Sequence, residues 1–203
     1  MPESLLIFAL PMLDAALLFF QEELSNYIKI KTGGQKEDIV QFAEIQPPKD
    51  ISMQNNAITA LLVNLEEERV FRSGAAQVNC LTNRASQSAI PTLCVNLHLM
   101  FIANFKDYIE GLRILSLVMK FFRSYRLFTQ QKFPALDPEI RQLSTELVNL
   151  TFMEQGELWR SLELPFSPSA LYKVRMLVFQ DSEIDEVETG AELGTIQTVT
   201  SQL

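Results

Sequence analysis

The sequence predicts an α+β (mixed α/β) fold with one main β-sheet, flanked by an N-terminal helix, a central buried helix and a short third helix. Three observations predict this fold. The chain has 203 residues, 47% of them hydrophobic and 21% charged, which suits one globular domain with its own core. Apolar residues recur with a helical period in two segments and alternate with a period of two in several others, and a capping box indicates a third helix. Helical and strand segments follow one another along the chain, as in an α+β layer.

The first helix is predicted over residues 12–31. Apolar residues from Leu13 to Ile28 recur three or four positions apart, while Asp14 and Glu22 take the opposite face. The pair Gly33-Gly34 follows, and glycine is the residue that most often ends a helix. We therefore expect an amphipathic helix with one buried face.

The apolar run of residues 5–20 has some features of a targeting segment, but it lacks the basic residue that such a segment needs. The first basic residue is Lys29, and Pro11 and Asp14 interrupt the run well short of the ~20 residues that cross a bilayer. We expect no signal peptide and no membrane insertion. This interpretation implies that the protein is synthesised and assembled in the cytoplasm.

Two strands are predicted over residues 38–45 and 58–65, separated by Pro47-Pro48. The second is apolar on both faces, as in a central strand, and it is predicted to stop at the triplet Glu66-Glu67-Glu68. A polar stretch over residues 69–91 has no usable period and is longer than most loops in compact domains. It is interpreted as a binding loop or an extension.

The clearest strand covers residues 92–104, where Cys94, Asn96, His98 and Met100 alternate with apolar residues of the other face. A largely buried helix is predicted over residues 106–124. Thr151 and Glu154 fit a capping box, so a short third helix should run to about residue 162. The remaining predicted elements are a short strand near residue 127, a turn over residues 134–138, a strand over residues 143–150 and a last strand over residues 171–179.

Charge and motif content argue against several classes of function. The formal net charge is −8, and residues 181–203 hold six acidic residues and no basic ones. No basic stripe is present, so nucleic acid is not an expected partner. Cys80, Cys94 and the single histidine, His98, cannot complete a zinc set. No nucleotide-binding or hydrolase motif occurs, and we expect no cofactor and no metal.

Each of three features has two interpretations, one functional and one structural. His98, with Asn96 on the same strand face, could act as a general base, although a histidine with satisfied hydrogen bonds or at an interface is commoner. Residues Glu66 to Glu68 could bind a cation or form a solvated or salt-bridging lip. Trp159 could be a binding anchor or a core residue. An enzyme or small-ligand site around His98 therefore stays an alternative, as does a membrane-surface adaptor that uses residues 5–20.

Three stretches resemble the cap-protein family of phage-tail-like contractile injection systems. They are LLVNLEEERVFR (residues 61–72), the strand and helix of residues 93–124, and residues 144–177. The helix that begins at Met12 is also similar to the opening of that family. The positions matched to the family are Asn64, Glu66, Glu67, Glu68, Asn96, Phe101, Asn104, Leu158, Trp159, Pro168, Leu171, Tyr172, Lys173 and Arg175.

This resemblance implies a fold related to phage tail-terminator proteins and a structural role without catalytic residues. It implies a hexameric ring at the baseplate-distal end of the particle, which binds and terminates the inner tube and the sheath. The implied partners are further copies of the chain, the inner tube protein and the sheath protein. The sequence departs from the family pattern at both ends, because the resemblance begins at residue 12 and only an acidic tail follows the last strand.

The expected organisation is an N-terminal arm (residues 1–11), a cap domain (residues 12–180) and an acidic, flexible tail (residues 181–203). The second half of the tail, TIQTVTSQL, favours strand and could add to the sheet edge of a neighbouring subunit. Within a ring, acids of one subunit could pair with bases of the next. The interface candidates are Glu66, Glu67, Glu68, Arg69, Arg72, Lys173 and Arg175.

Overall fold

The computed structural model describes residues 12–34, 38–46, 50–68 and 92–179. Within these residues the helices are α1 (Met12–Lys31), α2 (Tyr108–Ser124) and α3 (Phe152–Leu162). The strands are β1 (Val40–Phe42), β2 (Glu44–Gln46), β3 (Asp50–Ser52), β4 (Ala57–Glu67), β5 (Thr92–Asn104), β6 (Leu127–Phe128), β7 (Ile140–Leu147) and β8 (Ser169–Phe179). The predicted α+β class, with one main sheet and three helices, is confirmed.

The main sheet has six strands in the order β1-β4-β5-β8-β7-β6. The β1–β4 pair is parallel, and the other neighbouring strands are antiparallel. β5 has 13 residues and lies between β4 and β8, so the longest strand is also central. A separate two-stranded sheet pairs β2 with β3.

The inner face of the main sheet carries α1 and α2 over the larger hydrophobic core. Leu97, Leu99 and Phe101 of β5 belong to this core, where Phe101 packs on Phe122 of α2 and Phe122 packs on Phe20 of α1. Apolar burial of this kind stabilises a fold by about 25 cal/mol per Å² removed from water. Asp107 caps α2, because its carboxylate accepts hydrogen bonds from the first amides of the helix.

The outer face is covered by α3 over only part of its area. Met100 and Ile102 of β5 form a second, smaller core with Trp159 of α3. The predicted capping box holds the start of this helix: Thr151 and Glu154 exchange side-chain and backbone hydrogen bonds. The core interpretation of Trp159 is therefore confirmed.

The prediction of one strand over residues 38–45 is wrong. The segment forms two strands, β1 in the main sheet and β2 in the small sheet, and the β2–β3 pair is absent from the sequence-based prediction. A period of two indicates extended backbone but says nothing about which partner each part of it finds. The strand predicted over residues 143–150 also lies earlier, at Ile140–Leu147.

Other boundaries differ in smaller ways. β4 continues through Glu67, because its backbone pairs with β5 as far as Val95. α2 starts after its cap Asp107, and β8 begins at Ser169. α1 ends as predicted, with positive φ at Gly33 and Gly34. The predictions for residues 1–11, 69–91 and 181–203 and for Pro47-Pro48 lie outside the described residues.

Candidate interaction surface on the outer face of the sheet

A polar area occupies the part of the outer sheet face that α3 does not cover among the described residues. Register places Asn96 of β5 between Glu66 of β4 and Arg175 of β8. The next row on the same face has His98 between Asn64 and Lys173. Direct partners in antiparallel strands point to the same face, so these six side chains form one surface. We call it the polar outer face.

Four of the predicted interface residues therefore lie on or beside one surface: Glu66, Glu68, Lys173 and Arg175. Glu67 does not belong to it, because it pairs with Val95, a core residue of the inner face. Adjacent strand residues point to opposite faces, so the glutamate triplet does not act as one unit. Arg69 and Arg72 lie outside the described residues.

An ion pair already joins two of these residues within one chain. Arg175 donates from Nη2 to Glu68 Oε1 over 2.7 Å, and its Nε lies 3.3 Å from Cys94 Sγ. The thiol donates to Glu68 Oε2 over 3.4 Å. Burial raises the pKa of the Cys94 thiol, and the neighbouring Arg175 opposes that effect. The thiol therefore stays protonated and acts as a link between the two charged groups.

Sequence reasoning missed this role of Cys94. The alternation in β5 placed Cys94 on the correct face, but the two partners lie 26 and 81 positions away along the chain. The free cysteine is buried. The role of Cys94 can be recognised only when β4, β5 and β8 are known to be neighbours, because Cys94 then lies between Glu68 beside β4 and Arg175 of β8.

Asn96 and His98 carry polar atoms with no hydrogen-bond partner among the described residues. Asn96 is 4% exposed, and its Oδ1 is buried and unpaired. His98 is half-buried, and its Nδ1 is also buried and unpaired. A general base is normally oriented by a partner on its second nitrogen and opens onto a cleft. His98 shows neither feature within this part of the chain.

Two clefts lie away from the polar outer face. One, of about 230 Å³, lies between the start of α2 and residues 166–168 that lead into β8. The other lies between α1, β1 and the turn of residues 134–138, and its volume is about 920 Å³. His98 lines neither cleft.

Within the described ranges, no group of three or more His, Cys, Asp or Glu side chains is arranged to hold a metal ion. No described helix combines the length and apolar character needed to span a bilayer.

The described residues form a six-stranded sheet with two helices on one face and a third helix on part of the other, and this fold is similar to that of a tube terminator. The sheath/tube terminator of an extracellular contractile injection system, PVC, in its extended state has a similar structure, with a TM-score of 0.55 and 15% sequence identity. The match covers 95% of this chain and 65% of that chain.

The chain belongs to the family described as the Pvc16 N-terminal domain, whose model matches residues 16–190. A tube-terminating cap from the anti-feeding prophage matches with a TM-score of 0.43 and 11% identity, over 90% of this chain and 61% of that chain. That second score is too low to support a conclusion on fold. The chain thus spans less than two thirds of the length of either structure. No curated protein matches the sequence.

Proposed function

We propose that the chain is a structural cap of a contractile injection system and has no enzymatic activity. The observation that carries this proposal is family membership over residues 16–190, together with a fold like that of a sheath/tube terminator. In this proposal copies of the chain form a hexameric ring at the baseplate-distal end of the particle. The ring binds the last layers of the inner tube and sheath, stops their growth and couples one to the other. Assembly takes place in the cytoplasm.

The proposed work is done by surfaces rather than by a catalytic centre, and two features support this. The polar outer face presents acids on β4 and bases on β8, which suits contacts that set register. Glu68 and Arg175 already pair with each other, so we assign the contact between subunits chiefly to Glu66 and Lys173, with Arg69, Arg72 and Glu67 as further candidates. His98 lines neither of the two clefts found among the described residues, which favours a structural role over an enzyme site at His98.

We extend the proposal to the organisation of the chain. Residues 12–180 form the cap domain, residues 1–11 form an arm that contacts a neighbour, and residues 181–203 form an acidic tail that orders against a neighbouring cap or sheath subunit. The tail is too acidic in its first half to join a core, whereas its last nine residues carry no charged side chain and favour strand.

Deletion of the gene in a strain that produces the particle tests the proposed function. We expect electron micrographs to show no particles, or particles whose tubes and sheaths vary in length. Complementation with the wild-type chain should restore a narrow length distribution, and so should Glu139→Lys, which reverses an exposed charge on the turn before β7. Particles of normal length with normal distal ends in the deletion strain would contradict the proposal.

A further inference from the structure

Two large apolar side chains at the start of α3 have no place in the core. Phe152 is 95% exposed and Met153 is 75% exposed. The helix packs on the sheet through Leu158, Trp159 and Leu162 instead. Contiguous exposed apolar surface is typical of sites where another molecule binds, so these two residues are a candidate contact surface.

Gly156 lies on the same exposed side of α3 as these two residues. At 100° per residue, Phe152, Met153 and Gly156 fall within one sector of about 100°. Apart from its chain neighbours and the backbone of its own helix, no atom lies within 4 Å of the position that a Cβ would occupy at Gly156. The helix surface beside Phe152 is therefore flat enough for another backbone to approach closely.

The smaller cleft offers a matching site on the same chain. Its walls include Phe105, Tyr108 and Phe166, and its volume is about 230 Å³. Tyr108 is 63% exposed and Phe166 is 69% exposed, so aromatic surface lines the mouth of the cleft. An apolar cavity of about 150 Å³ holds a benzene molecule, so this cleft has room for one aromatic side chain.

We propose that Phe152 of one copy inserts into the cleft formed by Phe105, Tyr108 and Phe166 of a second copy. A chain that carries both an exposed aromatic side chain and a cleft of the right size associates head to tail, and such contacts generate a ring when the rotation closes. One type of contact, repeated between neighbouring copies, covers both Phe152 and the aromatic cleft. Offset or edge-on packing of the inserted ring against the aromatic walls adds to the burial of apolar area. This inference rests on the proposed ring and assigns its apolar contact.

The test uses one variant on each side of the contact. Phe152→Asp removes the inserted ring, and Tyr108→Asp places a carboxylate at the mouth of the cleft. Both positions are the first residue of a helix, where an acidic side chain is compatible with the helix dipole, so both variants should keep the circular dichroism spectrum and melting temperature of the wild type. Ile30→Asp is the control for adding a carboxylate at an exposed apolar position, because Ile30 is similarly exposed in the last turn of α1. An acidic side chain opposes the helix dipole there, so a slightly lower melting temperature is expected for this control alone.

Sedimentation velocity of the full chain measures the outcome. We expect the wild type and Ile30→Asp to form rings, and each α2 or α3 variant alone to self-associate at least about 30-fold more weakly, as for the loss of an interface hot spot. An equimolar mixture of Phe152→Asp and Tyr108→Asp should form dimers, because one intact aromatic ring and one intact cleft remain. The mixture would not form dimers if Phe152 and Tyr108 belonged to two different contacts.

Two results would overturn the inference. They are variants that assemble as the wild type does and a mixture that stays monomeric. If variants form normal rings but fail to cap tubes, the surface belongs to a contact with a tube or sheath subunit. Each leaves the proposed function in place, since that function fails only if particles in the deletion strain are normal.

Discussion

Arg175 of β8 reaches across β5 to Glu68, which directly follows β4, and the two side chains form an ion pair of 2.7 Å. β5 lies between β4 and β8, so the ion pair connects two strands that are separated by a third. Neighbouring strands in a sheet lie about 4.8 Å apart. Cys94 of that third strand contacts both side chains. The two charges that sequence reasoning assigned to a contact between subunits are thus already engaged within one subunit.

This pairing makes Glu66 and Lys173 the better test of charge contacts between subunits. Neither forms an ion pair among the described residues, and both lie on the polar outer face. We expect Glu66→Lys or Lys173→Glu to weaken ring formation by roughly 1.4- to fivefold per contact, since exposed ion pairs contribute about 0.2–1 kcal/mol. Sedimentation at low and high salt measures the effect, which should shrink at high salt.

The double variant Glu66→Lys with Lys173→Glu should recover part of the lost association, because it restores opposite charges across each contact. Glu139→Lys serves as the control for net charge. Equal association of the wild type, the two single variants and the double variant would show that these residues face solvent or a different partner.

Trp159 holds α3 on the sheet, and its removal should destabilise the fold strongly. The side chain is 6% exposed and packs with Met100, Ile102 and Phe166. We expect Trp159→Ala to lower the free energy of unfolding by about 3–5 kcal/mol in urea titrations. Phe152→Ala on the same helix should change it by less than about 0.5 kcal/mol, because Phe152 is exposed in the isolated subunit. Similar losses for the two variants would contradict this assignment.

Tyr172 should make the fold sensitive to alkaline pH. Burial raises the pKa of its hydroxyl above the ordinary value of 10.0. A pKa raised in the folded state means that folding favours the neutral form, so this stabilisation is complete below pH 10 and is lost as the pH rises through the folded-state pKa. Tyr172→Phe keeps the aromatic ring, whose centroid lies 4.4 Å from that of Phe122, and removes the titrating group.

The measurement is the free energy of unfolding between pH 8 and pH 11, which should fall more steeply above pH 10 in the wild type than in Tyr172→Phe. Cys94, whose pKa burial also raises, contributes equally to both proteins and starts to act near its ordinary value of 9.0. Parallel curves for the two proteins would exclude Tyr172 as a source of the loss.

Truncation after Gln180 tests the proposed role of the acidic tail. The cap domain should fold with an unchanged melting temperature and should still form rings, since every described element precedes the cut. If the tail docks on a neighbouring cap or sheath subunit, particles made with the truncated chain should lose their uniform length. Uniform particles would mean that the tail only aids solubility.

Sequence periodicity alone located most elements of this fold. Alternation placed β5 at Thr92–Asn104 and put Cys94, Asn96 and His98 on one face, and the Thr151–Glu154 pattern located the start of α3. These features are local, because side-chain alternation and helix capping depend on residues only two to four positions apart.

Only the tertiary structure decided how the elements combine. The division of residues 38–45 between two sheets, the strand order of the main sheet and the contact of Glu68 with Arg175, 107 positions away, all depend on pairings between distant segments. Local patterns indicate that a segment is extended but do not select its partner or register. The exposure of Phe152 also depends on the tertiary structure. The capping box predicts a helix at this place, but the position of the helix on the sheet determines which of its apolar residues remain exposed to water.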